Sequence, residues 1–257
     1  MPEMVIMIAC EADADARAAK GFAERVLTNE IAWFEDLAIE ARPMWRGLTD
    51  DTTHLRWASI GDIYLEAKLP EVFGFFPGIP ERSEAIIALK ALRLAQLSAV
   101  EIAVLIRDID SSPDRKIALE EARREYKRVP LIGTSFSPPV SAVIGLPDRY
   151  REAWLLASFQ PCNDRESAEL QRVHDEIQNF HPTREPEKLR DGNGELRHAK
   201  TIWKRLSSND EARADACWAD TPLEDLHSHG AGCGLSAYLE EIKTRLVPLL
   251  TPTPQSA

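Results

Sequence analysis

Three short, predominantly apolar runs constrain this chain most: Met4 to Cys10, Val100 to Ile106 and Val140 to Leu146. Each is far too short to cross a bilayer, and the first has no polar alternation, the pattern of a strand buried on both faces. Such strands need helices on both sides, and the sequence between them supplies helical spacing. From Asp13 to Ala32, Ala16, Ala19, Phe22, Ala23, Val26 and Leu27 recur on one face, with Asp13 and Asp15 near the start where the helix dipole favours acids. Ala85, Ile86, Leu89, Leu92 and Leu97 predict a helix after Pro80, and Pro113 opens a highly charged helix to about Lys127. A further helix after Pro147 carries Glu152, Trp154, Leu155 and Leu156. Strands alternating with helices predict an α/β fold with a mainly parallel sheet flanked by helices.

This pattern places the α/β core in residues 1–160, with the aromatic, irregular stretch 33–80 read as an insertion or lid holding at most a short helix, Gly61 to Ala67. Residues 161–247 are more polar and are expected to be mainly helical, and the Pro/Thr/Ser-rich end, 248–257, to be a frayed tail. Lys plus Arg number 31 against 42 Asp plus Glu, a net charge of −11, which argues against a broad basic surface holding nucleic acid by charge alone. The four cysteines, Cys10, Cys162, Cys217 and Cys233, form no CxxC pair, and no basic segment precedes the first apolar run. Reduced thiols, no membrane span and a cytoplasmic location are the expectations.

Acidic residues stand at the carboxyl ends of all three predicted strands: Glu11 after the first, Asp108 and Asp110 after the second, Asp148 and Glu152 after the third. In an open α/β sheet those ends line the ligand-binding edge. Two aspartates one residue apart, with a carboxylate from a neighbouring strand, make an oxygen-rich site suited to Mg²⁺ or Mn²⁺. Asp15, four residues beyond Glu11, can converge with it if both lie on one helix face. The competing reading is that such acids cap the helices that follow, as Asp13, Asp114 and Asp148 can.

The order apolar strand, Glu11, helix, apolar strand, Asp108-Ile-Asp110 resembles the TOPRIM domain of topoisomerases, primases and nucleases related to the OLD proteins. Ala9-Cys-Glu-Ala-Asp-Ala-Asp15 is similar to the Glu-Gly-x-x-Asp opening of small stand-alone TOPRIM-like proteins, and Tyr150-Arg-Glu-Ala-Trp-Leu-Leu156 to their Glu-x-Trp-Leu signature. The stretch from His181-Pro182 to Leu189, Lys200 and the segment ending in Gly234-Leu-Ser-Ala-Tyr-Leu239 resemble the less specific C-terminal part of that group. Ala12 departs from it, standing where glycine is usual. The resemblance implies a metal-dependent nuclease of bacterial phage defence acting on DNA or RNA, with Glu11, Asp15, Asp108, Asp110 and Glu152 as metal ligands. Of these, Glu11, Asp108, Asp110 and Glu152 would be the catalytic set. It also implies a separate ABC-type ATPase partner, and the chain leaves a homo-oligomer open. The alternative is a non-catalytic TOPRIM-like subunit that binds a partner or senses nucleic acid.

The charged helix supplies Arg115, Lys116, Arg123, Arg124, Lys127 and Arg128, interspersed with Glu120, Glu121 and Glu125. These form i,i+4 ion pairs on a solvated face or, for Arg115 and Lys116 beside the acidic edge, touch a phosphate backbone. Lys200, Lys204 and Arg205 form a second basic cluster. His227, His229, Cys217 and Cys233 are zinc-ligand types at no standard spacing, and Gly230 to Gly234 reads equally as a loop before a helix. No phosphate-loop or nucleophile-elbow pattern is present, so ATP hydrolysis and acyl transfer are not expected of this chain.

Overall fold

The computed structural model describes residues 4–37, 42–72, 76–98, 100–109, 112–128, 139–189, 196–208 and 210–251. Its centre is a parallel sheet made of β1 (Val5–Cys10), β2 (Met44–Arg46), β3 (Leu55–Arg56), β4 (Ile102–Ile106) and β5 (Ser141–Gly145). The order is β2-β1-β4-β5, and β3 also pairs with β1, continuing along the edge that β2 begins. β1 and β4 run in register from Ile6 opposite Ile102 to Ala9 opposite Leu105.

The lack of alternation in the apolar runs has the expected cause. Ile6, Ile8 and Cys10 of β1 with Ile102, Val104 and Ile106 of β4 enter one core, while Met7, Ala9, Ala103 and Leu105 enter the other. The first core is covered by α1 (Asp13–Glu30), α5 (Arg151–Ala157) and α10 (Leu235–Arg245), the second by α2 (Ile60–Glu66), α3 (Arg82–Leu97) and α4 (Asp114–Arg128). The α1 residues singled out by spacing are all buried. Their cluster extends from Ile6 to Leu250, so the C-terminal helices share the core of the sheet. Those helices are α6 (Asp164–Ile177), α7 (Ala199–Ser207), α8 (Glu211–Asp220), α9 (Leu223–His229), α10 and α11 (Val247–Leu250). None of the described helices is long and apolar enough to cross a membrane.

Within the stretch read as an insertion or lid, the short helix expected at Gly61 to Ala67 is α2, while β2 and β3 join the sheet and Leu55, Trp57, Ile60, Tyr64, Val72 and Phe76 are buried. Strands of three and two residues are too short to show any periodicity, which is why they escape a reading by pattern.

Two glycines fix how α10 closes on the sheet. At Gly145, the end of β5, a Cβ would lie 2.4 Å from Ile106 Cδ1 and 2.9 Å from Tyr238 Cδ2. Gly234, before α10, has φ +84° and an approach that would put a Cβ 2.1 Å from the Leu146 carbonyl oxygen. This close approach lets the Cys233 carbonyl accept from both the Asp148 amide and the Trp154 indole, each at 2.9 Å. Trp154 then stacks on Tyr238 at 5.0 Å, and the Tyr238 hydroxyl donates to the Ala19 carbonyl of α1 at 2.9 Å. The glycine run is therefore a loop seated on the exit of β5.

Candidate functional site

The carboxyl edge of the sheet holds two arginine-centred groups rather than one carboxylate cluster. Extending the β1/β4 register by two residues sets Glu11 opposite Arg107, and the two side chains form an ion pair. Arg107 also donates from Nε at 3.0 Å and Nη2 at 2.9 Å to the carboxylate of Glu84, in the first turn of α3. The Trp57 indole N–H donates to Glu84 at 3.0 Å, and the Arg107 guanidinium lies 5.7 Å from the Trp57 ring centroid. Glu84 is buried, whereas the Glu11 side chain is 52% exposed, so Arg107 joins an interior carboxylate to one at the surface.

The second group sits between α1 and α5. Asp15 accepts from the Ala12 amide at 3.1 Å, and Arg151 reaches Asp15 at 3.6 Å and Glu152 at 2.7 Å. Burial pushes the Asp15 carboxyl above the usual carboxylate range; Glu152 adds to this, while Arg151, the Ala12 amide and Lys200 oppose it. The exposed Asp13, two residues earlier, has its carboxyl held below the usual carboxylate range by the Thr53 hydroxyl at 2.6 Å and by His54 at 3.1 Å.

Glu11 and Asp15 were expected to lie on one helix face. Instead α1 begins at Asp13, Glu11 stays in the preceding bend, and each acid takes its own arginine. Ala12 has φ −145°, extended backbone that any residue adopts, so the departure from glycine costs nothing locally. Asp108 follows Arg107, where the chain continues beside the β5 exit through Ile109 N–H to the Pro147 carbonyl at 2.9 Å. Its own carbonyl accepts from Arg115 at 2.6 Å. Asp110 lies outside the described residues. Arg149, at the turn into α5, has φ +74°, a left-handed conformation uncommon for a side-chain-bearing residue.

Comparison with known proteins finds no matching family model, no matching curated protein and no matching solved structure. The site therefore rests on its own geometry.

Among the described residues, no three His, Cys, Asp or Glu side chains form a group able to hold a metal ion. The zinc-type residues go separate ways: Cys217 and Cys233 are buried, His227 contacts the Ser236 hydroxyl at 3.1 Å, and His229 faces the Ala157 carbonyl at 3.3 Å. On α4, Arg123 pairs with Glu120 and Glu241, Arg124 with Glu121 and Arg128 with Glu125. The same-helix partners are three residues apart rather than four, and Arg123 is buried, its second partner Glu241 lying on α10. Lys116 is exposed. Arg205 is taken up by Glu169 and Glu176.

The residues that spacing did not reveal are Glu84, Arg107, Arg151 and Trp57. Their one sequence signal is local: Arg107 directly precedes Asp108 and Arg151 directly precedes Glu152, each at the mouth of a predicted strand or helix.

Proposed function

We propose that this chain is a divalent-metal-dependent phosphodiesterase acting on nucleic acid, in the manner implied by its resemblance to TOPRIM-type nucleases. The observation that carries the reading is the adjacency of Glu11 and Asp108, which leave two hydrogen-bonded parallel strands at the ligand-binding edge of the sheet. Their donor atoms, with those of Asp110, are all carboxylate oxygens, the set that suits Mg²⁺ or Mn²⁺. A bound cation would supply charge stabilisation at the phosphodiester. The protein's own contribution is positioning: Arg107 orients Glu11, and Arg151 holds Asp15 and Glu152 beside the same edge. Burial gives the Asp15 carboxyl a raised affinity for a proton beside this edge. The resemblance also implies a separate ATP-hydrolysing partner of the ABC type.

The test is cleavage of supercoiled plasmid, single-stranded DNA and bulk RNA with Mg²⁺ or Mn²⁺, comparing the wild type with Asp108→Ala/Asp110→Ala after circular dichroism has shown both folded. Metal-dependent cutting lost in the variant is expected. A second reading, a non-catalytic binding subunit, is favoured by the arginines already engaging Glu11, Asp15 and Glu152. It takes over if neither protein cuts, with and without an ATPase partner and ATP, while the variant retains its biological effect.

A further inference from the structure

Beside the carboxylate edge, α1, α5, α7 and α8 enclose a cavity of about 390 Å³, within the size range of small-molecule sites. Its apolar lining combines the edges of two largely buried indoles, Trp203 of α7 and Trp218 of α8, with Leu155 of α5 and Ala14, Ala18 and Ala214. Both indoles are anchored, Trp203 edge-on to Phe159 at 6.2 Å and Trp218 edge-on to Phe22 at 5.7 Å.

The charges around this lining are unequal in their commitments. Arg17 is paired with Glu211 and Asp215, and Arg151 with Glu152 and Asp15. Asp13 is engaged by Thr53 and His54, and Asp210 caps α8 by accepting from the Ala212 amide at 2.9 Å. What remains is Lys200 and Lys204, four residues apart on α7 and both lining the cavity. Both are exposed, and neither has a carboxylate within ion-pair distance among the described residues. The Lys200 ammonium is held over the Tyr150 ring at 4.7 Å.

We infer that this cavity binds a nucleotide unit, its base against Trp203 and Trp218 and its phosphate on Lys200 and Lys204. Every base offers a flat π-face, so an indole in the lining can meet it without sequence preference, and two ammonium groups with no ion-pair partner among the described residues complement the phosphate. That the bound unit flanks the scissile bond rests on the nuclease reading; that the cavity takes a nucleotide does not. Asp13 and Glu152 belong both to the cavity and to the carboxylate edge, which makes the two sites continuous.

The test is calorimetric titration of the full chain with adenosine 5′-monophosphate, with inorganic phosphate and adenosine as separate arms. It is repeated with the Lys200→Ala/Lys204→Ala variant, whose exposed positions leave the fold intact. Saturable nucleotide binding, tighter than that of either part, is expected, and the double variant should weaken it about tenfold or more, the effect of losing charged phosphate contacts. No saturable binding, unchanged binding in the variant, or inorganic phosphate binding as tightly as the nucleotide each overturns the inference. Binding without metal-dependent cleavage leaves the inference standing and removes the nuclease reading; cleavage without nucleotide binding does the reverse.

Discussion

Removing the Arg107 side chain tests whether the carboxyl edge is held together by one guanidinium. The Arg107 and Glu84 side chains are 13% and 11% exposed and meet at 2.9 Å. With charge centres about 4 Å apart and an effective dielectric of ~20, their attraction is about 4 kcal/mol. Arg107→Ala leaves Glu84 a buried charge without its guanidinium partner, the Trp57 indole still donating to it, and such broken pairs cost about 3–5 kcal/mol. Replacing both partners by apolar residues, Arg107→Met with Glu84→Leu, removes the stranded charge. Most of the loss should return, short of about 1–2 kcal/mol for the indole N–H that loses its acceptor. The assay is urea unfolding followed by circular dichroism. With a slope of about 2–3 kcal/mol per molar for a protein of this size, the single variant should shift the midpoint down by roughly 1–2 M. A shift under about 0.3 M, or a double variant less stable than the single one, would refute the reasoning.

Asp15→Asn tests the raised carboxyl beside Arg151. The folded state binds this proton more tightly than the unfolded chain, so its contribution to stability is present below the ordinary Asp range of about 3.9 and is lost as pH rises through the raised folded value. The variant should therefore gain on the wild type between pH 4 and pH 7 in urea midpoints; a wild type that gains instead would contradict the assignment. Burial pushes the thiols of Cys10, Cys217 and Cys233 up to about 12, while Cys162 is exposed. A chromogenic disulfide reagent at pH 8 should modify Cys162 rapidly in the native protein and all four cysteines only after denaturation.

The sheet was legible where physics writes it into composition. β1, β4 and β5 are buried on both faces, so each had to be apolar throughout, and the α1 stripe followed from its single buried side. β2 and β3 were not legible, because a two- or three-residue strand is defined by the partner it pairs with. At the site, Glu11, Asp108 and Glu152 could be placed near one edge, since an acid after a buried strand has only the edge to occupy. Their pairing could not. The bonds of Glu84 to Arg107 and Trp57 span 23 and 27 residues, distances at which no spacing rule operates. Asp15 shows the limit of periodicity from the other side: the i,i+4 argument was sound for a helix, but the helix starts two residues after Glu11.

The hydroxyl of Tyr238 meets the carbonyl of Ala19 across 219 positions of chain. Phe22, Val26 and Leu27 of α1 enter a core that α10, far along the chain, helps to close. A nascent chain still lacking α10 carries an unprotected apolar surface, the condition under which chaperones are needed. A stop codon ahead of α10 should therefore yield aggregate or a proteolysis substrate, because α10 seals the core that α1 enters.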